Sequence, residues 1–253
     1  ISLNGTRGYA YAGEVGTMDS SENPRFQKFM KIADSFRKLG VRANADTPAD
    51  AQRAREFGAE GIGLFRTEHM FYGKGAEKPL FALRKMILSG SQAERRKAVD
   101  ELFPFVKKDI KATLESMNGL PVTVRLLDPP LHEFIPHSRD QQLEISKALK
   151  ISHDEFRKRA DSLKESNPMM GHRGVRLGVT YPEVTEMQVR AILESAAELI
   201  KAKKKCKPEI MIPVTCDPNE LRNQKAIVER VAEEVRKKFK MKELEYMVGT
   251  MIE

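Results

Sequence analysis

Three arginines stand where a side chain could meet an anion: Arg66 in GLFRTEH and Arg125 in VTVRLLDPP, each at or near the end of a short apolar run, and Arg173 in the loop-like GHRGVRL. A guanidinium is costly to desolvate without a counter-charge, and its planar fork of donors matches the oxygens of carboxylate and phosphate. Taken singly, each arginine has two readings. It pairs with an internal carboxylate, Glu68 and Asp128 being close in sequence, or it meets a bound anion. Two arginines at the ends of consecutive parallel strands favour the second reading, because strand ends in such sheets converge on one face where ligands bind. Glu253 follows the apolar MVGTMI. It is the first loop residue, a base, or an oxygen ligand for a hard cation such as Mg²⁺. Spacing alone favours the loop residue.

Other chemistry-bearing residues carry weaker patterns. His69, His132, His137 and His172 lie near the same segments without the HExxH spacing of a metal site, and His153 falls at a helix start. Cys206 and Cys216 are ten apart with no CxxC spacing, which speaks against a zinc site or a redox pair. Asn44 and Asp46 are either site residues or turn formers. GAEGIG and MGHRGVRLG match neither the GxGxxG dinucleotide fingerprint nor a P-loop.

The elements that must position these residues follow from periodicity. Five short apolar runs read as buried strands: 39–44, 61–66, 122–127, 209–214 and 246–252. Amphipathic helical stretches separate them, the clearest being TPADAQRAREFGA, SQAERRKAVDELFPFVKKDIKATLESMNG, PEVTEMQVRAILESAAELIKAKKK and PNELRNQKAIVERVAEEVRKKF. This alternation predicts βα units on a parallel sheet. Thr47-Pro48 and Asp217-Pro218 place a capping oxygen before a first-turn proline. Residues 1–23 are rich in Gly and Ser and read as a linker or connecting strand, and the Pro-broken stretch 128–151 reads as a long irregular loop. Five strands are too few for a closed barrel, and the last one ends at Glu253 with nothing to cover it. The sequence is therefore expected to be part of a longer polypeptide.

With 253 residues, 40% of them hydrophobic, the chain has material for a sizeable core, and no run reaches the roughly 18 apolar residues of a membrane span. The ISLNGTRG start has no signal-peptide pattern, and two cysteines are far from a disulfide framework, so an intracellular, reducing compartment is expected. The 44 Lys and Arg exceed the 36 Asp and Glu by eight. That excess is interleaved with Glu along helices, without aromatic partners, and argues for solvated faces rather than a nucleic-acid surface.

Taken together, VRANADTP, GAEGIGLFRTEHMF, PVTVRLLDPPLHEFIP, NPMMGHRGVRLGVTYPE and EIMIPVT resemble the phosphoenolpyruvate/pyruvate domain of the pyruvate phosphate dikinases over nearly the whole chain. Phosphoenolpyruvate synthase and the phosphotransferase enzyme I share the broader pattern and are the alternative parents, and a non-catalytic phosphometabolite-binding module is a further alternative. The resemblance implies a (β/α)₈ TIM-type barrel of which about the first five strands are present, with 24–253 as its N-terminal part and 1–23 as the tail of a preceding phosphohistidine domain. It implies a phosphotransferase that interconverts ATP, pyruvate and phosphate with AMP, phosphoenolpyruvate and pyrophosphate through a phosphohistidine, in a homodimeric parent. Position by position, it implies that Arg66, Arg125, Arg173 and Glu253 bind substrate and that Glu253 is the first of two Mg²⁺ ligands. The second ligand and the cysteine that handles the pyruvate methyl proton have no counterpart in the sequence. It also lacks the segment bearing the phosphohistidine and the ATP-grasp domain. No catalytic residue is therefore expected within the chain, which should be inactive alone.

Overall fold

The computed structural model describes residues 1–73 and 75–253, which pack as two units, Ile1–Val41 and Arg42–Glu253. In the first, β1 (Ser2–Asn4) and β2 (Tyr9–Tyr11) form an antiparallel hairpin with Leu3 opposite Ala10. Helix α1 (Pro24–Phe36) starts on Asn23, whose side chain accepts from the amides of Arg25 and Phe26. The stretch expected to be a linker or connecting strand thus contains a hairpin, and α1 was not among the expected helices.

The second unit alternates strand and helix: β3 (Ala43–Asn44), α2 (Pro48–Glu56), β4 (Ile62–Arg66), α3 (Glu77–Ile87), α4 (Gln92–Ser116), β5 (Pro121–Arg125), α5 (Arg139–Leu149), α6 (His153–Ser162), α7 (Gly174–Thr180), α8 (Pro182–Lys201), β6 (Lys207–Thr215), α9 (Pro218–Lys238) and β7 (Met247–Ile252). The five strands β3 to β7 are parallel and lie side by side in chain order. The sheet is open, with β3 and β7 at its edges, so the described residues form an α/β unit with a five-stranded parallel sheet and no closed barrel among them.

Two faces of the sheet differ in kind. Ile62, Phe65, Val122, Val124, Ile210 and Ile212 are buried in one hydrophobic core with residues of α2, α3, α4, α8 and α9. Residues of the other parity form cross-strand rows. Thr123 pairs with Glu209 and Glu209 with Met247; Arg66 pairs with Arg125, Arg125 with Met211 and Met211 with Gly249. Thr123 and Glu209 make the first row polar on β5 and β6. Arg42 holds Glu209 through two hydrogen bonds of 2.6 and 3.1 Å, and the Thr123 hydroxyl donates to the same carboxylate at 2.6 Å.

The helix starts follow their capping chemistry. Thr47 Oγ1 accepts from the Asp50 amide, and Asp217 and Glu220 form a reciprocal capping box. Two expectations need correction. The strand expected over 39–44 pairs only at Ala43–Asn44, and Leu39 and Val41 are exposed, because the β4 ladder first meets this segment where Ile62 pairs with Ala43. The stretch 128–151 is not irregular throughout. Its prolines confine the irregular part to the first half, where Leu131–Phe134 forms a 3₁₀ turn, and Arg139–Leu149 is helical with Ile145 buried. No helix of the described residues is long and apolar enough to cross a membrane.

Candidate anion site at the strand ends

Arg66 and Arg125 are the last residues of β4 and β5 and are register partners. Each is held by carboxylates. The Arg66 amide and Nε donate to Asp46 Oδ1, both at 3.0 Å, and its Nη2 donates to Asp46 Oδ2. Asp46 itself is placed just beyond β3, where the Ala45 amide donates to the Leu64 carbonyl. His69 Nδ1 lies 3.6 Å from the same Asp46 oxygen. Burial pushes the Asp46 carboxyl up, but its hydrogen bonds from Arg66 and the nearby His69 outweigh this and hold it below the usual carboxylate value.

Arg125 is more enclosed. Its Nη2 donates to Glu68 and its Nη1 lies 3.0 Å from Asp128 Oδ2 and 4.0 Å from Met251 Sδ on β7. Asp128 is buried and bridges two arginines, since Arg173 donates to its carboxylate through Nη2 at 2.6 Å and Nε at 3.2 Å. Arg173 is the residue before α7, and the Gly174 amide donates to the Asp128 carbonyl at 3.2 Å. The Asp128 hydrogen bonds raise the Arg173 guanidinium above its ordinary value against the effect of burial, and the charges of Asp128, Glu253 and Glu133 add to the rise.

The cluster brings Arg66, Arg125 and Arg173 together with Asp46, Glu68 and Asp128, three cations against three anions. Each arginine has an internal carboxylate partner, which is the first of the two readings, and all three gather at one end of the sheet. The pairs fix the guanidinium forks, as preorganised anion sites require. In Arg66 and Arg173 the pairs with carboxylates use Nε and Nη2, which leaves Nη1 outside them. Arg125 Nε and Glu68 Oε2 are buried without a hydrogen-bond partner among the described residues, and such orphaned atoms mark a site with unused bonding capacity.

A hard cation finds little here. No group of three metal-ligating side chains gathers among the described residues. Asp46, Glu68 and Asp128 are engaged by arginines, which leaves the exposed Glu253 as one carboxylate ligand and not a set. The residues present do not by themselves fit a Mg²⁺ ion.

The other candidates lie outside the cluster or at its margin. His153 Nε2 donates to Gln142 Oε1 at 2.9 Å, His137 is exposed, and His172 stacks edge-on against Tyr181, its burial pushing its imidazole pKa down. Cys206 is buried and Cys216 exposed, and both are free thiols. Sequence reasoning did not find Gln188, a buried amide on α8 that reaches both strand ends. Its signal was a glutamine between Met187 and Val189 on a helix that is otherwise buried nearly all round.

Residues 20–253 match the family model described as PEP-utilising enzyme, PEP-binding domain. The chain is similar over its whole length to pyruvate, phosphate dikinase of Clostridium symbiosum (48% identical, covering 29% of that protein) and of Giardia intestinalis (48%, covering 28%). It is also similar to the chloroplastic enzyme of Mesembryanthemum crystallinum (44%, covering 27%). The chain thus spans less than a third of the length of these relatives. It belongs to the family of PEP-utilising enzymes, as their PEP-binding domain.

Proposed function

We propose that this chain is the part of a pyruvate, phosphate dikinase that binds phosphoenolpyruvate and pyruvate, with Arg66, Arg125 and Arg173 as the anion-binding residues. The observation that carries this reading is the register pairing of Arg66 with Arg125, with Asp128 tying Arg173 to the same place. Phosphoenolpyruvate carries a phosphate and a carboxylate, and guanidinium forks are suited to both. During phosphoryl transfer the charge on the equatorial oxygens needs fixed cations, and arginines already held by carboxylates supply them without reorganisation.

In the same reading, residues 24–253 are the N-terminal part of a (β/α)₈ barrel. The support is the consecutive, parallel strand order and the cross-strand rows on the face away from the helices. The remaining strands, the phosphohistidine domain that delivers the phosphoryl group, and the rest of the Mg²⁺ donor set would come from outside these residues. Glu253 would contribute one oxygen ligand to that ion, whose chemistry would be to stabilise the enolate of pyruvate.

The test uses the whole polypeptide that carries these residues. Arg66→Ala and Arg125→Ala should abolish phosphoryl exchange between phosphoenolpyruvate and the enzyme while leaving ATP-dependent phosphorylation of the enzyme intact. Undiminished exchange in both variants would refute the assignment.

A further inference from the structure

Gln188 sits on α8, away from the strands that carry the arginines, yet its side chain joins both strand ends. Its Oε1 accepts from the Leu127 amide at 2.9 Å, and its Nε2 donates to Thr67 Oγ1 at 3.0 Å. All three groups are buried. Thr67 stands between Arg66 and Glu68, and Leu127 stands between Arg125 and Asp128 in the chain. The amide orientation is fixed by chemistry, because a backbone N–H can only face the carbonyl oxygen, which turns the NH₂ toward the hydroxyl.

The bond to Leu127 begins where the sheet ladder ends. The Leu126 amide still donates to the Met211 carbonyl of β6, and the next amide is taken by Gln188. An apolar residue at 188 would leave that buried N–H unpaired, a cost that native folds avoid. A capping role for one strand end would need only the carbonyl oxygen. The second bond, to Thr67, ties the neighbouring strand end to the same amide.

We propose that Gln188 is a positioning residue that sets the spacing of Arg66 and Arg125 by clamping the segments that follow β4 and β5. This inference rests on the reading of those arginines as the substrate anion site. Small displacements of paired recognition groups cost affinity steeply, so a clamp on the two backbones acts on both forks at once.

The experiment uses the whole polypeptide that carries these residues, with phosphoenolpyruvate as the calorimetric probe and hydrogen exchange as the structural readout. Gln188→Met keeps the length of the side chain and removes both bonds. Thr67→Val keeps the shape and removes one, and it leaves Leu127 untouched. Both variants should weaken phosphoenolpyruvate binding about tenfold or more, against an unchanged fold by circular dichroism. Thr67→Ser, which keeps the hydroxyl, should bind as the wild type does. In Thr67→Val, segment 121–131 should exchange faster although the substitution lies on the other strand end, a change that a merely local structural role would not produce. A folded Thr67→Val variant with wild-type affinity and wild-type exchange over 121–131 would overturn the clamp, and this holds even if Gln188→Met fails to fold. Wild-type affinity in Arg125→Ala is a different result: it would remove the anion-site reading, and the inference with it.

Discussion

Arg66 and Arg125 stand opposite one another at the last positions of two adjacent parallel strands, and each is held by a different carboxylate. Like charges in neighbouring register positions repel unless anions intervene. Asp46, Glu68 and Asp128 supply those anions, so the pair is stable before any ligand arrives.

The two arginines should differ in what their loss costs the fold. The Arg66 side chain is 36% exposed and that of Arg125 is 12% exposed, facing Glu68 and Asp128. Arg125→Ala leaves a buried carboxylate without its partner and should cost about 3–5 kcal/mol in denaturant unfolding. Arg66→Ala, screened by solvent, should cost about 1 kcal/mol. Equal losses would contradict the difference in burial.

Acid should weaken the site through Asp46. Its carboxyl pKa is lower in the folded protein than in the unfolded chain, so its contribution is complete above the unfolded value near 3.8 and is lost as pH falls through the lowered value. Asp46→Asn should therefore flatten the acid limb of stability against pH. It should also lower stability near neutral pH by about 1 kcal/mol, the worth of a solvent-screened ion pair. An acid limb unchanged in Asp46→Asn, measured by thermal melts at several pH values, would show that other carboxylates carry it.

Gly174 should not tolerate a side chain. Its φ is +56°, and a Cβ there would come within 2.8 Å of Val214 Cγ2 and 3.0 Å of the Pro213 carbonyl oxygen. Val214 is itself a β-branched residue at φ 59°, a strained conformation that leaves little room to give way. Gly174→Ala should lower stability by about 2 kcal/mol and should weaken phosphoenolpyruvate binding, because the neighbouring Arg173 and the bond from the Gly174 amide to Asp128 move with it. Thermal melting and calorimetry check the two effects, and an unaffected melting temperature would contradict the close approach.

The strands that carry Arg66 and Arg125 were legible because their apolar runs are short and bounded, and the capped helices because Thr47 and Asp217 precede prolines. Arg173 was legible as a candidate but its place before α7 was not, since a seven-residue helix leaves almost no periodic signal. The pairing of Asp46 with Arg66 spans 20 residues and depends on how β3 meets β4, which composition does not encode. Gln188 was hidden for the same reason in sharper form. Its partners are 61 and 121 residues away, and only the packing of α8 behind the sheet brings them together. Leu39 and Val41 misled in the opposite direction, as apolar residues that are exposed.

The chain alone should hold substrate without turning it over, since the donor of the phosphoryl group and the greater part of the Mg²⁺ donor set are assigned to residues outside it. Pyruvate formation from phosphoenolpyruvate above background by the 253-residue chain, followed by a coupled assay, would contradict this division of labour.

The central claim is that the arginine cluster binds the substrate anion, and direct titration tests it most simply. Phosphoenolpyruvate titrated calorimetrically into this chain should bind at one saturable site, and the double substitution Arg66→Ala with Arg125→Ala should abolish the heat while Glu14→Gln, in the other unit, leaves it unchanged. Saturable binding that survives the double substitution, or no binding by the folded wild-type chain, would contradict the account.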